Sequence, residues 1–100
     1  MTPKHLAKIK RILFDMSRSP KGVAPAELKG LALELGRQAV KRGKEPTYIR
    51  EASPQLPVPL TIPGHAEDLR VGTAKNIIKS LLRDVEVWEV YLQGDDDGYQ

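Results

Sequence analysis

The chain has 100 residues, the size of one compact domain, of which 40% are hydrophobic and 29% charged. That balance supports a core and excludes a wholly disordered, collagen-like or low-complexity chain. Sixteen Lys and Arg against thirteen Asp and Glu leave +3, but residues 1–50 hold twelve basic and four acidic residues while residues 51–100 hold four and nine. The first half is thus +8 and the second −5, which points to a polyanion-facing side and a separate acidic tail.

A first helix is expected from about Pro3 to Ser17, with Thr2 as N-cap and Pro3 at the first helical position, where a missing N–H costs nothing. Leu6, Ile9, Leu13 and Met16 recur at helical steps on one face, and Lys4, Lys8, Lys10 and Arg11 make much of the rest basic. Ser19-Pro20-Lys21-Gly22 ends it. A second helix begins near Pro25, with Leu28, Leu31 and Leu35 as its stripe and Gly36 where a left-handed C-cap wants glycine.

From Arg37 to Pro63 the helical period is lost. Val58, Leu60 and Ile62 share one parity, a strand pattern, and Arg37–Arg42 and Thr47–Glu51 are further strand candidates. Pro54, Pro57 and Pro59 confine their stretch to a loop and an edge-type strand start. The last helix begins near Val71–Thr73. Ile77, Leu81, Val85, Trp88 and Leu92 carry its stripe without a break, although the β-branched Val85, Val87 and Val90 leave a terminal strand open for residues 84–92. Gly94 is expected to end it, followed by a disordered acidic tail over residues 95–100.

The order helix, helix, three strands, helix defines an α+β two-layer domain, a three-stranded antiparallel sheet packed on helices. The whole unit is expected over residues 1–94, with its core over 25–83 and an added N-terminal helix over 2–18.

Chemistry is constrained by what is missing. There is no cysteine, hence no disulfide framework, zinc–thiolate site or thiol nucleophile, and His5 and His65 are too far apart for a familiar metal-ligand spacing. No metal or other cofactor is called for, and there is no glycine-rich phosphate loop or nucleophile triad. No apolar run approaches the roughly 18 residues that cross a membrane. The start of the chain has no apolar stretch of the signal-peptide kind. A cytoplasmic location without a membrane partner is the expectation.

Leu60-Thr61-Ile62-Pro63-Gly64-His65, then Asp68-Leu69-Arg70-Val71-Gly72-Thr73, then Ile77-Ile78 resemble the C-terminal half of HicA toxins. In that family a last strand ends in a threonine–aliphatic–proline segment and a D-L-x-x-G-T turn opens the final helix. Glu27-Leu28 to Gly36 is similar to the family's first helix, and Arg37 to Gly43 to its first basic strand. The resemblance covers rather more than half the chain. It implies a fold similar to a double-stranded-RNA-binding domain, mRNA as target, cleavage of that RNA (an mRNA interferase), and a HicB-like antitoxin as protein partner.

The family's catalytic histidine, in a G-S-H motif between the first two strands, has no counterpart here. That place reads Gly43-Lys44-Glu45-Pro46-Thr47-Tyr48. Metal-free RNA cleavage needs a base for the 2′-hydroxyl proton and an acid for the leaving oxygen. Either Glu45 serves as base, or His65 reaches in from the strand end, or the chain binds RNA without cutting it. The RNA-facing residues would be Arg37, Lys41, Arg42, Lys44 and Arg50 on phosphates, Tyr48 on a base or ribose, and Thr73 at the positive start of the last helix.

Blander readings stand beside these. The basic strand residues can simply block edge pairing, the Gly43–Pro46 segment suits a hairpin turn, and Thr73 can be only a cap. Trp88 and Tyr91 offer a partner face that the added helix, a second copy in a homodimer, or an antitoxin would cover. A protein-interaction module on the same fold is the rival to the RNA reading.

Overall fold

In a computed structural model, residues 1–42, 45–64 and 68–97 are described. Three helices and one sheet follow in the order α1 (Pro3–Arg18), α2 (Pro25–Glu34), β1 (Gln38–Arg42), β2 (Glu45–Arg50), β3 (Leu56–Thr61) and α3 (Val71–Asp97). The sheet is antiparallel throughout, in the order β1-β2-β3. The architecture is the α+β arrangement expected from the periodicities.

The helix ends form for local reasons. The Thr2 hydroxyl accepts from the His5 N–H at 3.1 Å, and Pro3 occupies the first turn of α1. At the far end of α2, the Gly36 N–H donates to the Leu33 carbonyl and the Arg37 N–H to the Ala32 carbonyl. This is a Schellman closure, and Gly36 takes the φ of +93° that it requires.

α3 has 27 residues and so runs for about 40 Å. Strands of five or six residues span only about 17–20 Å, so α3 outruns the sheet. The first helix covers the excess. Leu6, Ile9 and Leu13 of α1 are buried in one core cluster with Ile78, Leu81, Val85 and Trp88 of α3. The Trp88 stripe is therefore closed from within the chain, and α1 is part of the core unit. Residues 84–92 are helix, not strand, and α3 continues through Gly94 to Asp97. Gly94 does not take the left-handed backbone that would stop the helix there.

The inner face of the sheet follows the register. Tyr48 pairs with Ala39 on one side and Leu60 on the other, and both Tyr48 and Leu60 are buried. The opposite face carries Val40, Thr47 and Thr61 as cross-strand neighbours. The parity expected for Val58 fails. Tyr48 pairs with Leu60 but Arg50 pairs with Leu56, so two steps on β2 meet four on β3. Val58 sits in that bulge, 63% exposed, while Leu56, Leu60 and Ile62 face inward. Pro57 and Pro59 cannot donate to the ladder, which is why the irregularity falls there. Among the described residues, no helix is long and apolar enough to cross a membrane.

Candidate nucleic-acid interface

Of the basic residues expected to face phosphates, Arg37 is turned inward. Arg37 is 3% exposed, and its Nε and Nη2 donate to the two carboxylate oxygens of Asp84 at 2.6 and 2.9 Å. Its Nη1 donates to the carbonyls of Tyr48 and Val58 at 2.7 and 2.9 Å. The guanidinium thus ties α3 to the middle strand and holds the β3 bulge. It is a core group with its donors engaged, so the RNA-binding assignment of Arg37 is corrected. Burial pushes the Asp84 carboxyl above the usual carboxylate range, an effect that the hydrogen bonds and charge of Arg37 offset only in part.

Tyr48 is corrected in the same way. It is 1% exposed in the core, where no base can stack on it, and burial pushes its phenol up. Arg50 lies along the surface with each of its three nitrogens donating to a backbone carbonyl. It donates to the carbonyls of Gly36, Ser53 and Pro54, and its guanidinium lies 4.9 Å from the Trp88 ring centre. That is a cation–π contact, which favours a fixed Arg over a free one. Trp88 in turn donates from Nε1 to the Leu35 carbonyl at 2.8 Å and meets Tyr91 edge to face. Trp88 is therefore a core residue and not a partner-binding one.

Lys41 is exposed near the end of β1. Arg42 and Glu45 are the closing backbone pair of the β1–β2 hairpin. Gly43, Lys44 and His65 lie outside the described residues, so the hairpin segment and the loop histidine of the cleavage expectation are not described. Thr73 is the third residue of α3 and exposed. It is not the cap: Arg70 precedes the helix, its carbonyl accepting from the Ala74 N–H at 2.9 Å.

A basic feature that the half-by-half charge count concealed lies further along α3. All four basic residues of the second half fall between Arg70 and Arg83. Lys75, Lys79 and Arg83 stand four residues apart, on one face, and are exposed. None of them joins an ion pair among the described residues. Successive members are about 6 Å apart along the axis. The acidic residues of α3, Asp84, Glu86 and Glu89 among them, all follow.

This order opposes the helix dipole. The positive N-terminal end of a helix favours acidic side chains, yet the first turn of α3 has none and its last turn has no basic residue. The free N–H groups and the dipole act within the first turn, and Lys75, Lys79 and Arg83 carry positive charge on along the next turns. Such a surface suits anionic oxygens and carries no means of base choice. No group of His, Cys, Asp and Glu residues able to hold a metal occurs among the described residues.

No family model matches the chain, and no curated protein or solved structure matches it either.

Proposed function

We propose that the chain is an RNA-binding protein similar to HicA toxins, acting on mRNA as one member of a toxin–antitoxin pair. The observation that carries the reading is the exposed stripe Lys75, Lys79, Arg83 on the N-terminal half of α3, which joins no ion pair among the described residues. Two others support it. The order helix, three antiparallel strands, helix from α2 to α3 is that of the double-stranded-RNA-binding fold implied by the resemblance. The D-L-x-x-G-T segment leads into α3. Thr73 and Lys41 remain as exposed contributors, while Arg37, Tyr48 and Arg50 serve the fold. A HicB-like antitoxin is the protein partner this reading calls for.

Phosphate contacts of this kind bring an affinity in the range of about 1–100 μM at physiological salt. A gel shift on mRNA with the wild type and with Lys75→Ala, Lys79→Ala and Arg83→Ala tests the site. Progressive loss of the shift supports it. No shift by the wild type, or equal shifts by all four proteins, removes it. Cleavage is a separate step that needs an acid and a base, and Glu45 and His65 are the residues proposed for those roles. A time course of end-labelled mRNA on a denaturing gel, with Glu45→Ala and His65→Ala alongside, decides between a ribonuclease and a binder that does not cut.

A further inference from the structure

A groove runs between α1 and the C-terminal half of α3, and its two walls carry opposite charge. Ala7, Phe14 and Val90 give it an apolar floor, with Phe14 49% and Val90 69% exposed. The α1 wall holds Lys10, Arg11 and Arg18 against the single acid Asp15; the α3 wall holds Glu86 and Glu89. Lys10 and Glu89 pair across it at 3.0 Å, and Arg18 pairs with Asp15 within its own helix. Arg11 and Glu86 are exposed on opposite walls and join no ion pair among the described residues.

We infer that this groove is the contact between two copies of the chain, related by a twofold axis that runs along it. The charge pattern selects both the occupant and the axis. An axis along the groove lays the basic α1 wall of each copy over the acidic α3 wall of the other. An axis across the groove would set basic on basic and acidic on acidic. A surface that complements itself under rotation is what a closed dimer needs. Phe14 and Val90 then bury each other's apolar surface, which drives the association, while the walls set its register.

The size of the face sets the strength. α1 is about 24 Å long, and two helices side by side are about 20 Å wide. Several hundred Å² a side falls short of the roughly 800 Å² of a standard interface. The dimer is therefore weak and concentration-dependent. Nothing in this inference uses the RNA-binding reading, which rests on the other half of α3.

Sedimentation equilibrium of the full chain from micromolar to about 1 mM tests it. The expected result is a mass rising toward twice that of the monomer, with at least tenfold weaker association in Arg11→Glu and in Glu86→Lys. Each swap sets like charges against each other at positions 11 and 86 of the two copies, so the two variants mixed in equal amounts restore opposite charges there and form a heterodimer tighter than either homodimer. Both positions are exposed, and circular dichroism checks that each variant folds. A wild type that stays monomeric to about 1 mM overturns the inference, as do swaps that leave the association unchanged or a mixture that restores nothing.

Discussion

Arg37 and Asp84 form a buried ion pair 47 residues apart in sequence, joined by hydrogen bonds of 2.6 and 2.9 Å. Both side chains are almost fully covered, at 2% and 5% exposure. The pair sits where the start of β1, the bulge of β3 and the middle of α3 converge, since the same guanidinium also holds the carbonyls of Tyr48 and Val58.

Breaking one side of that pair strands the other as a buried charge. Asp84→Ala is expected to destabilise the protein by about 3–5 kcal/mol. Arg37→Met should cost a similar amount, because it also leaves two carbonyls without donors. The double variant Arg37→Met with Asp84→Ala should cost clearly less than the sum of the two single changes. About 1–3 kcal/mol of the double variant's cost belongs to the buried Tyr48 carbonyl that loses its donor. Urea unfolding of the four proteins measures this; full additivity would show that the two residues do not act as a pair.

The pair also has a pH signature. The folded Asp84 carboxyl lies above its ordinary value because desolvation outweighs the attraction of Arg37. As pH falls, the folded chain takes up this proton before the unfolded one does. The stability this group contributes is present in full below the unfolded carboxyl's pKa and is lost as pH rises through the folded one. The melting temperature of the wild type minus that of Asp84→Asn should therefore decrease from about pH 3 to about pH 7. A difference that grows over that range would mean the guanidinium holds the carboxyl below its usual value.

Gly36 is required for two reasons at once. Its φ of +93° is strained for any residue with a side chain, and a Cβ there would lie 2.5 Å from the Arg50 Nη1. Gly36→Ala is expected to cost about 1–2 kcal/mol for the backbone alone. Displacing Arg50 from its carbonyls and from Trp88 adds to this. Because the two residues collide, Gly36→Ala combined with Arg50→Ala should cost less than the sum of the single changes. Thermal unfolding of the three variants reads that coupling.

For the α3 stripe, salt dependence is a sharper probe than affinity. If Lys75, Lys79 and Arg83 each neutralise one phosphate of a single strand, the logarithm of the binding constant falls with that of salt at a slope of about −0.7 for each. Lys79→Ala should then flatten the slope by about 0.7 while weakening binding alike on different RNA sequences. A slope that does not change would place the contacts elsewhere.

Much of the frame was readable from residue spacing. Thr2 with Pro3, the leucines ending at Gly36, and the unbroken stripe from Ile77 to Leu92 each state a helix by local rules, and the structure contains all three. The assignment of the basic residues to one phosphate-facing strand was not readable in that way. Alternation alone does not say which side of a strand a core will cover. The apolar face of α3 nevertheless held a clue: Asp84 lies among Leu81, Val85 and Trp88, where a carboxylate needs a buried cation.

By itself the sequence determined the helices, the approximate places of the three strands and the uneven charge, because caps, periodicity and charge are local properties of the chain. Tertiary structure alone decided which charges are free. Arg37 and Arg50 are drawn to carbonyls, a carboxylate and an indole that packing brings from distant segments, whereas Lys75, Lys79 and Arg83 remain in solvent. The physical reason is that the cost of burying a cation is met only by partners gathered in space, and no spacing along the chain reports that gathering.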